Sequence, residues 1–275
     1  MGTTRASARG RLRKKPRFKL MKPGVVYVGT SGWSYKSWGK DFYPADLPAS
    51  KQLHFYVSRF PTVEINRTFY RLPTTKAFGD WNREAPAGFV YSIKGSRAVT
   101  HFKRLRPGAK SLGLLLNRSK KLGSHCGPIL WQLPASLKKD SERLGKFLRT
   151  LRPHFTHAIE FRDPSWIDEE VFAILRRHGI ASVAVSSQAM PPCFEVTANF
   201  VYVRFHGLKG GAAHDYSERE LTPWARFLRE SAQNGLNGFA YFNNDMNARA
   251  PLNARQLIKM VGPSAASIAA ASEGV

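Results

Sequence analysis

Cysteine and acidic side chains are both scarce in this chain. Cys126 and Cys193 are the only two cysteines among 275 residues, too few for a disulfide framework and without the CxxC spacing of a zinc site. Both are expected as buried free thiols. No apolar run approaches the roughly 20 residues that a membrane-spanning helix needs, and no apolar segment of signal-peptide type follows the basic N-terminus. The protein is therefore expected in the cytoplasm, with no membrane partner. No internal repeat marks a solenoid.

Only 19 acids stand against 43 Lys and Arg, giving a formal charge of +24, and an excess of that size points to anionic partners such as nucleic acid. The cations are unevenly placed. Arg5, Arg9, Arg11, Arg13, Lys14, Lys15, Arg17, Lys19 and Lys22 precede residue 23 with no acid among them. Like charges repel and almost nothing there is apolar, so 1–22 is predicted to be a disordered basic tail. A single domain over 23–265 and a short tail over 266–275 complete the division.

What the chain has in quantity is short apolar segments: Val25–Gly29, Thr62–Asn66, Phe89–Lys94, Pro128–Gln132, His157–Arg162, Ala181–Ser186, Phe200–His206 and Gly238–Asn244. Most are rich in Val, Ile, Tyr and Phe, and most gaps between them carry one helix-period pattern, the mark of repeated strand-helix units. Eight units predict a TIM-type (β/α)8 barrel, for which a chain of about 250 residues is typical. Ser50 is read as the cap of a helix bearing Leu53, Val57 and Phe60. Thr222-Pro223 is read as the start of another, with Trp224, Phe227 and Leu228 inward. Asp168–His178 reads as a helix ended by Gly179, and further helices fit Thr75–Glu84, Ala109–Leu122, Asp140–Leu151 and Leu252–Val261. Residues 187–199 include Pro191 and Pro192 and are too few for loop, helix and loop, so an irregular crossover between strands six and seven is expected, with the barrel distorted or partly open there.

Barrels of this kind build their sites at the carboxyl ends of the strands. Here those ends carry Glu64, Asn66, Lys94, Gln132, Glu160, Arg162, Arg204, His206, Asn243 and Asn244. Glu64, Glu160 and His206 are the candidate catalytic groups, with Glu160 as a general base or as an orienter of arginine. Lys94, Arg162 and Arg204 form a candidate anion clamp, and Asn66, Gln132, Asn243 and Asn244 are candidate substrate-binding amides. Trp33 and Tyr35, in the long loop after strand one, could stack on a sugar or base or could plug the barrel mouth. The glycine-rich loop after strand seven, Gly207–Glu218, is a candidate phosphate site, and His101 follows strand three. The competing reading is structural: Glu64 and Glu160 neutralise the three cations in a buried polar network. No cofactor is expected; a divalent metal on Glu64, Glu160 and His206 stays open but is disfavoured, because there is no HExxH and cations beside the carboxylates would repel it.

Five motifs make the pattern specific: Gly29-Thr30-Ser31-Gly32-Trp33-Ser34-Tyr35, Val63-Glu64-Ile65-Asn66 with Thr68-Phe69-Tyr70, Glu160-Phe161-Arg162, Arg204-Phe205-His206-Gly207 and Tyr241-Phe242-Asn243-Asn244. Together they resemble the YecE-like family, catalogued as domain of unknown function number seventy-two, from about Tyr27 to about Val261. The resemblance implies a distorted eight-fold barrel and a site at these residues; it leaves the reaction open. The residues themselves suggest an enzyme of the hydrolase or isomerase class acting on an anionic, phosphorylated sugar or a nucleic-acid-like substrate. The alternative is a non-catalytic nucleic-acid-binding protein that uses its basic surface.

Overall fold

The computed structural model describes residues 22–266, so most of both predicted tails lies outside the described residues. Eight parallel strands, β1 (Val26–Ser31), β2 (Thr62–Ile65), β3 (Val90–Lys94), β4 (Cys126–Gln132), β5 (His157–Glu160), β6 (Ala181–Ser186), β7 (Phe200–Phe205) and β8 (Asn237–Phe242), pair in chain order and close through β1 and β8 into one barrel. Residues on a strand alternate between its two faces, which divides the core. Leu130, Ala158, Val183, Phe200, Tyr202, Phe239 and Tyr241 fill the inside of the barrel, and a larger layer including Val28, Ile65, Trp131, Leu144, Leu175 and Leu257 packs strands against helices. Burying one large apolar side chain contributes about 1.5–3 kcal/mol. The outer layer therefore carries most of the stability, and the narrow interior tolerates polar groups near the mouth.

The crossover from β6 to β7 holds neither helix nor strand over 187–199, as its prolines predict, yet the barrel does not open there. Val183–Ser186 pair with Tyr202–Phe205. A side chain takes over work that a helix would do elsewhere: the Thr197 hydroxyl donates to the Ile180 carbonyl at 2.7 Å and accepts from the Ser182 amide at 2.8 Å. Phe194 meanwhile packs against Trp224 and Phe227.

The helices Thr75–Glu84 and Glu169–His178 fall where the pattern placed them, the second capped by the Asp168 carboxylate and ended by Gly179 at φ 63°. Two starts differ from expectation. Ser50 caps nothing: a 3-10 turn at Ala49–Lys51 runs into the helix Gln52–Val57. The helix expected to begin at Thr222-Pro223 begins a turn earlier, at Glu218, because Ser217 and Glu220 cap each other reciprocally. Pro223 then lies inside the helix and forgoes one backbone bond, while the Thr222 hydroxyl donates back to the Glu218 carbonyl at 2.8 Å. The two cysteines are free but half-buried rather than buried.

The cap placement is testable by denaturant unfolding. Ser217→Ala should lower the unfolding free energy by about 1 kcal/mol, whereas Thr222→Val should leave it nearly unchanged. The reverse order would place the helix start at Thr222.

Candidate active site

Glu64 and Arg204 sit within their strands, Glu160 ends β5, and alternation turns all three into the barrel just below its mouth. None of the three is exposed to solvent. The Arg204 guanidinium lies between the two carboxylates: Nη2 donates to Glu64 Oε1 at 2.7 Å and Nη1 to Glu160 Oε2 at 2.5 Å. Further bonds complete Glu64, whose Oε1 accepts from Ser31 Oγ at 2.5 Å and whose Oε2 accepts from the Tyr202 hydroxyl at 2.6 Å. Glu160 Oε1 accepts from Arg162 Nη1 at 2.9 Å and lies 3.0 Å from His206 Nε2. Burial alone would raise the Glu160 pKa, but the adjacent Arg204, His206 and Arg162 outweigh it and hold the carboxyl well below the usual range.

These contacts distinguish three of the expected site residues. Glu160 has every oxygen committed and a depressed pKa, so it is an orienter of arginine and a poor general base. Arg204 is buried between the two carboxylates as their internal counterion, with Gln132 Oε1 also 3.3 Å from Nη1 and Nε left without a partner among the described residues. Arg162 is the guanidinium that reaches solvent, with 26% of its side chain exposed.

His206 follows β7 and is pushed down to about 4 by burial, despite the neighbouring Glu160 carboxylate. Its ring is neutral at physiological pH, and the tautomer that donates from Nε2 to Glu160 leaves Nδ1 facing the Asn243 amide at 3.5 Å. Asn66 donates to the Ser31 carbonyl at 3.2 Å and to Asn243 Oδ1 at 3.4 Å. The Asn66 Oδ1 atom is buried without a partner among the described residues, an acceptor open to a ligand donor. Tyr35 closes this side of the mouth, its hydroxyl donating to the Ser31 carbonyl. Burial and the Asp245 charge push that hydroxyl up to about 12, so it stays a donor.

Lys94 differs from its neighbours. It ends β3, is 8% exposed, and places Nζ 4.4 Å from the Phe69 ring centroid. No carboxylate lies within ion-pair distance of it among the described residues. Burial and the Arg204 charge lower its pKa to about 8. Beside it, His101 sits in a single π-helical turn, Ala98–Phe102, edge-on to Phe69.

Some candidates fall outside this cluster. Asn244 is fully buried behind the mouth, where it donates to Asn253 Oδ1 at 2.7 Å and to the His214 carbonyl at 2.8 Å; it ties the chain to the last helix and does not face the mouth. Trp33 packs edge-on against Trp81, and Trp38, Phe42 and Tyr43 of the same loop are buried in the outer core, so most of that loop is packing and Tyr35 alone joins the polar cluster. In Gly207–Glu218 the amides of Gly207, Gly211, Ala213 and His214 are spent on partners within the loop, which leaves little of a phosphate cradle. Sequence reading missed Ser31, Tyr202 and Phe69 as supports of the charged groups. Strand alternation carried the signal for Tyr202, two residues before Arg204 on the same face. Among the described residues no three His, Cys, Asp or Glu side chains gather as metal ligands; the Arg204 guanidinium occupies the position between Glu64 and Glu160.

The fold and this mouth define a (β/α)8 barrel protein with a preorganised ionic site at its strand carboxyl ends. The family profile described as "Protein of unknown function DUF72" matches residues 27–274, and the chain belongs to that family. It is similar to the UPF0759 protein YunF of Bacillus subtilis (strain 168), 24% identical over 270 residues that cover 86% of this chain and 95% of the relative. A crystal structure of a DUF72 family protein from Thermotoga maritima is 30% identical and superposes with a TM-score of 0.73, covering 86% of this chain and 99% of that one. One from Enterococcus faecalis V583 shares the fold at the same TM-score with 18% identity, over 87% of this chain and 98% of that one.

Two substitutions separate frame from free charge. Arg204→Met strands two buried carboxylates and should cost about 3–5 kcal/mol of stability, measured by denaturant unfolding at neutral pH. Lys94→Met should act in the other direction. The Lys94 amine binds its proton less tightly folded, near 8, than at its ordinary 10.5, so the unfolded chain holds more protons across that window and stability rises with pH there. Lys94→Met should remove this rise and be more stable than the wild type at pH 7; an unchanged pH profile would contradict the placement of Lys94.

Proposed function

We propose that the mouth is the active site of an enzyme of the isomerase or hydrolase class that acts on an anionic, phosphorylated sugar or nucleic-acid-like substrate. The observation that carries this reading is Lys94, a buried amine without a carboxylate partner whose pKa is lowered to about 8. A proton-transfer group works best with a pKa near the operating pH, and strong perturbation of this kind collects at functional sites. Lys94 is the base, Arg162 the group that meets the substrate anion, and His206, Asn66 and Asn243 orient it. Glu64, Glu160 and Arg204 hold the frame. Both carboxylates are satisfied by donors, which disfavours the acid and nucleophile pair of a glycosidase, where one carboxyl must carry a proton.

A second reading, a nucleic-acid binder without chemistry, is favoured by the formal charge of +24. It needs the basic surface rather than Lys94.

A thermal-shift panel of phosphorylated metabolites and oligonucleotides, with and without divalent metal, followed by turnover assays on the hits, distinguishes the two. Anions should stabilise the wild type and lose that effect in Arg162→Ala. Lys94→Met should keep its fold and lose turnover by about 10²–10⁴-fold, and wild-type kcat/KM should climb with pH through about 8 as the amine becomes neutral. Turnover that survives Lys94→Met removes the base assignment. Binding of oligonucleotides alone, indifferent to Arg162→Ala and accompanied by no turnover, selects the second reading.

A further inference from the structure

The end of the barrel opposite the mouth holds a cleft of about 780 Å³, where the chain enters β5 and β6. Ligand sites commonly enclose about 300–1,000 Å³, so the space suits a small molecule of nucleotide size. Its lining contains Arg149, Arg152, His154, Phe155, Arg176 and His178 and no Asp or Glu. Arg176 is already paired with Glu169 and Glu195. Arg152 has only the neutral Asn117 amide oxygen, at 2.7 Å, and Arg149 has no carboxylate within ion-pair distance among the described residues. Burial and the charges of Arg149 and Arg177 lower the His178 pKa, the response of a site where positive charge is uncompensated.

The floor is held rigidly. His157 is buried, its Nδ1 accepting from the Trp131 indole at 3.2 Å and its Nε2 lying 3.2 Å from the Arg152 carbonyl. This pattern fixes the neutral tautomer and anchors the backbone of Arg152. Exposed His154 lies against half-buried Phe155 with ring centroids 4.4 Å apart, which offers an aromatic platform beside the cations. The irregular crossover supplies the facing wall through Val196–Asn199.

We propose that this cleft binds a nucleotide, its phosphates on Arg149 and Arg152 and its base on the His154 and Phe155 rings. Guanidinium groups suit phosphate oxygens, and a base stacked on an aromatic side chain gains affinity whatever its sequence. The same chemistry is offered by a free nucleotide or by the end of a nucleic-acid strand.

Isothermal titration of the full chain with ATP, inorganic triphosphate and a short single-stranded oligonucleotide tests this. ATP or the oligonucleotide should bind more tightly than triphosphate. Arg149→Glu, at an exposed position, should weaken the tighter ligand by about tenfold or more, the loss of about 1.4 kcal/mol. His154→Ala should remove the advantage over triphosphate, and that advantage should survive Arg162→Ala, which removes only anion binding at the mouth. Preference for ATP would identify a free nucleotide and preference for the oligonucleotide a strand end, both within the proposal. Failure of both to bind, binding no tighter than triphosphate, or binding lost in Arg162→Ala but intact in Arg149→Glu would overturn it.

Discussion

Arg204 is enclosed by protein with a carboxylate at each end of its guanidinium, and the geometry of the mouth follows from that placement. Removing an ion from water costs several kcal/mol, recovered only where geometry is good and the remaining donors and acceptors are satisfied. Ser31, Tyr202 and Gln132 supply most of that satisfaction, each from a different strand, while the Arg204 Nε is left without a partner among the described residues. The network therefore works as a stitch across the barrel. It also settles the protonation of Glu160, whose carboxyl is held ionised by the fixed guanidinium beside it.

Charge balance explains why Lys94 stands apart from the other charged groups of the mouth. Glu64 and Glu160 offset Arg204 and Arg162, so a protonated Lys94 leaves the mouth with one uncompensated positive charge, apart from solvent. The protein accommodates it by weakening the proton affinity of the amine and by setting it over the face of Phe69. An entering anion would relieve the repulsion and raise that affinity again. Binding of an anion at the mouth and protonation of Lys94 would thus be coupled.

The sequence made much of the architecture legible because strand alternation, the Asp168 cap and the Gly179 terminator are local signals. The prolines of the β6–β7 crossover were equally readable, but closure across it depends on Thr197, whose role needs two distant backbone groups. The helix at Glu218 was misplaced because Thr222-Pro223 imitates a start, while the reciprocal Ser217 and Glu220 pair, which begins the helix at Glu218, outweighs it. For the site, strand ends identified which residues gather. They did not separate Arg204, whose partners arrive from β2 and β5, from Arg162, which lies past the end of its strand and keeps solvent contact. Asn244 shows the same limit: adjacent to Asn243 in sequence, it points the other way and serves Asn253.

Strand β5 joins the two ends of the molecule. His157 begins it at the floor of the cationic cleft and Glu160 ends it under the mouth, a span of about 10 Å at the rise of a parallel strand. A displacement at His157 would reach Glu160 directly and, through it, Arg204. Coupling between sites, however, requires an element with two arrangements of similar energy. Neither end of β5 offers one: Glu160 is fixed by three charged or polar partners, and His157 by bonds at both ring nitrogens. The strand is a rigid spacer, and occupancy of the cleft should leave the geometry of the mouth unchanged.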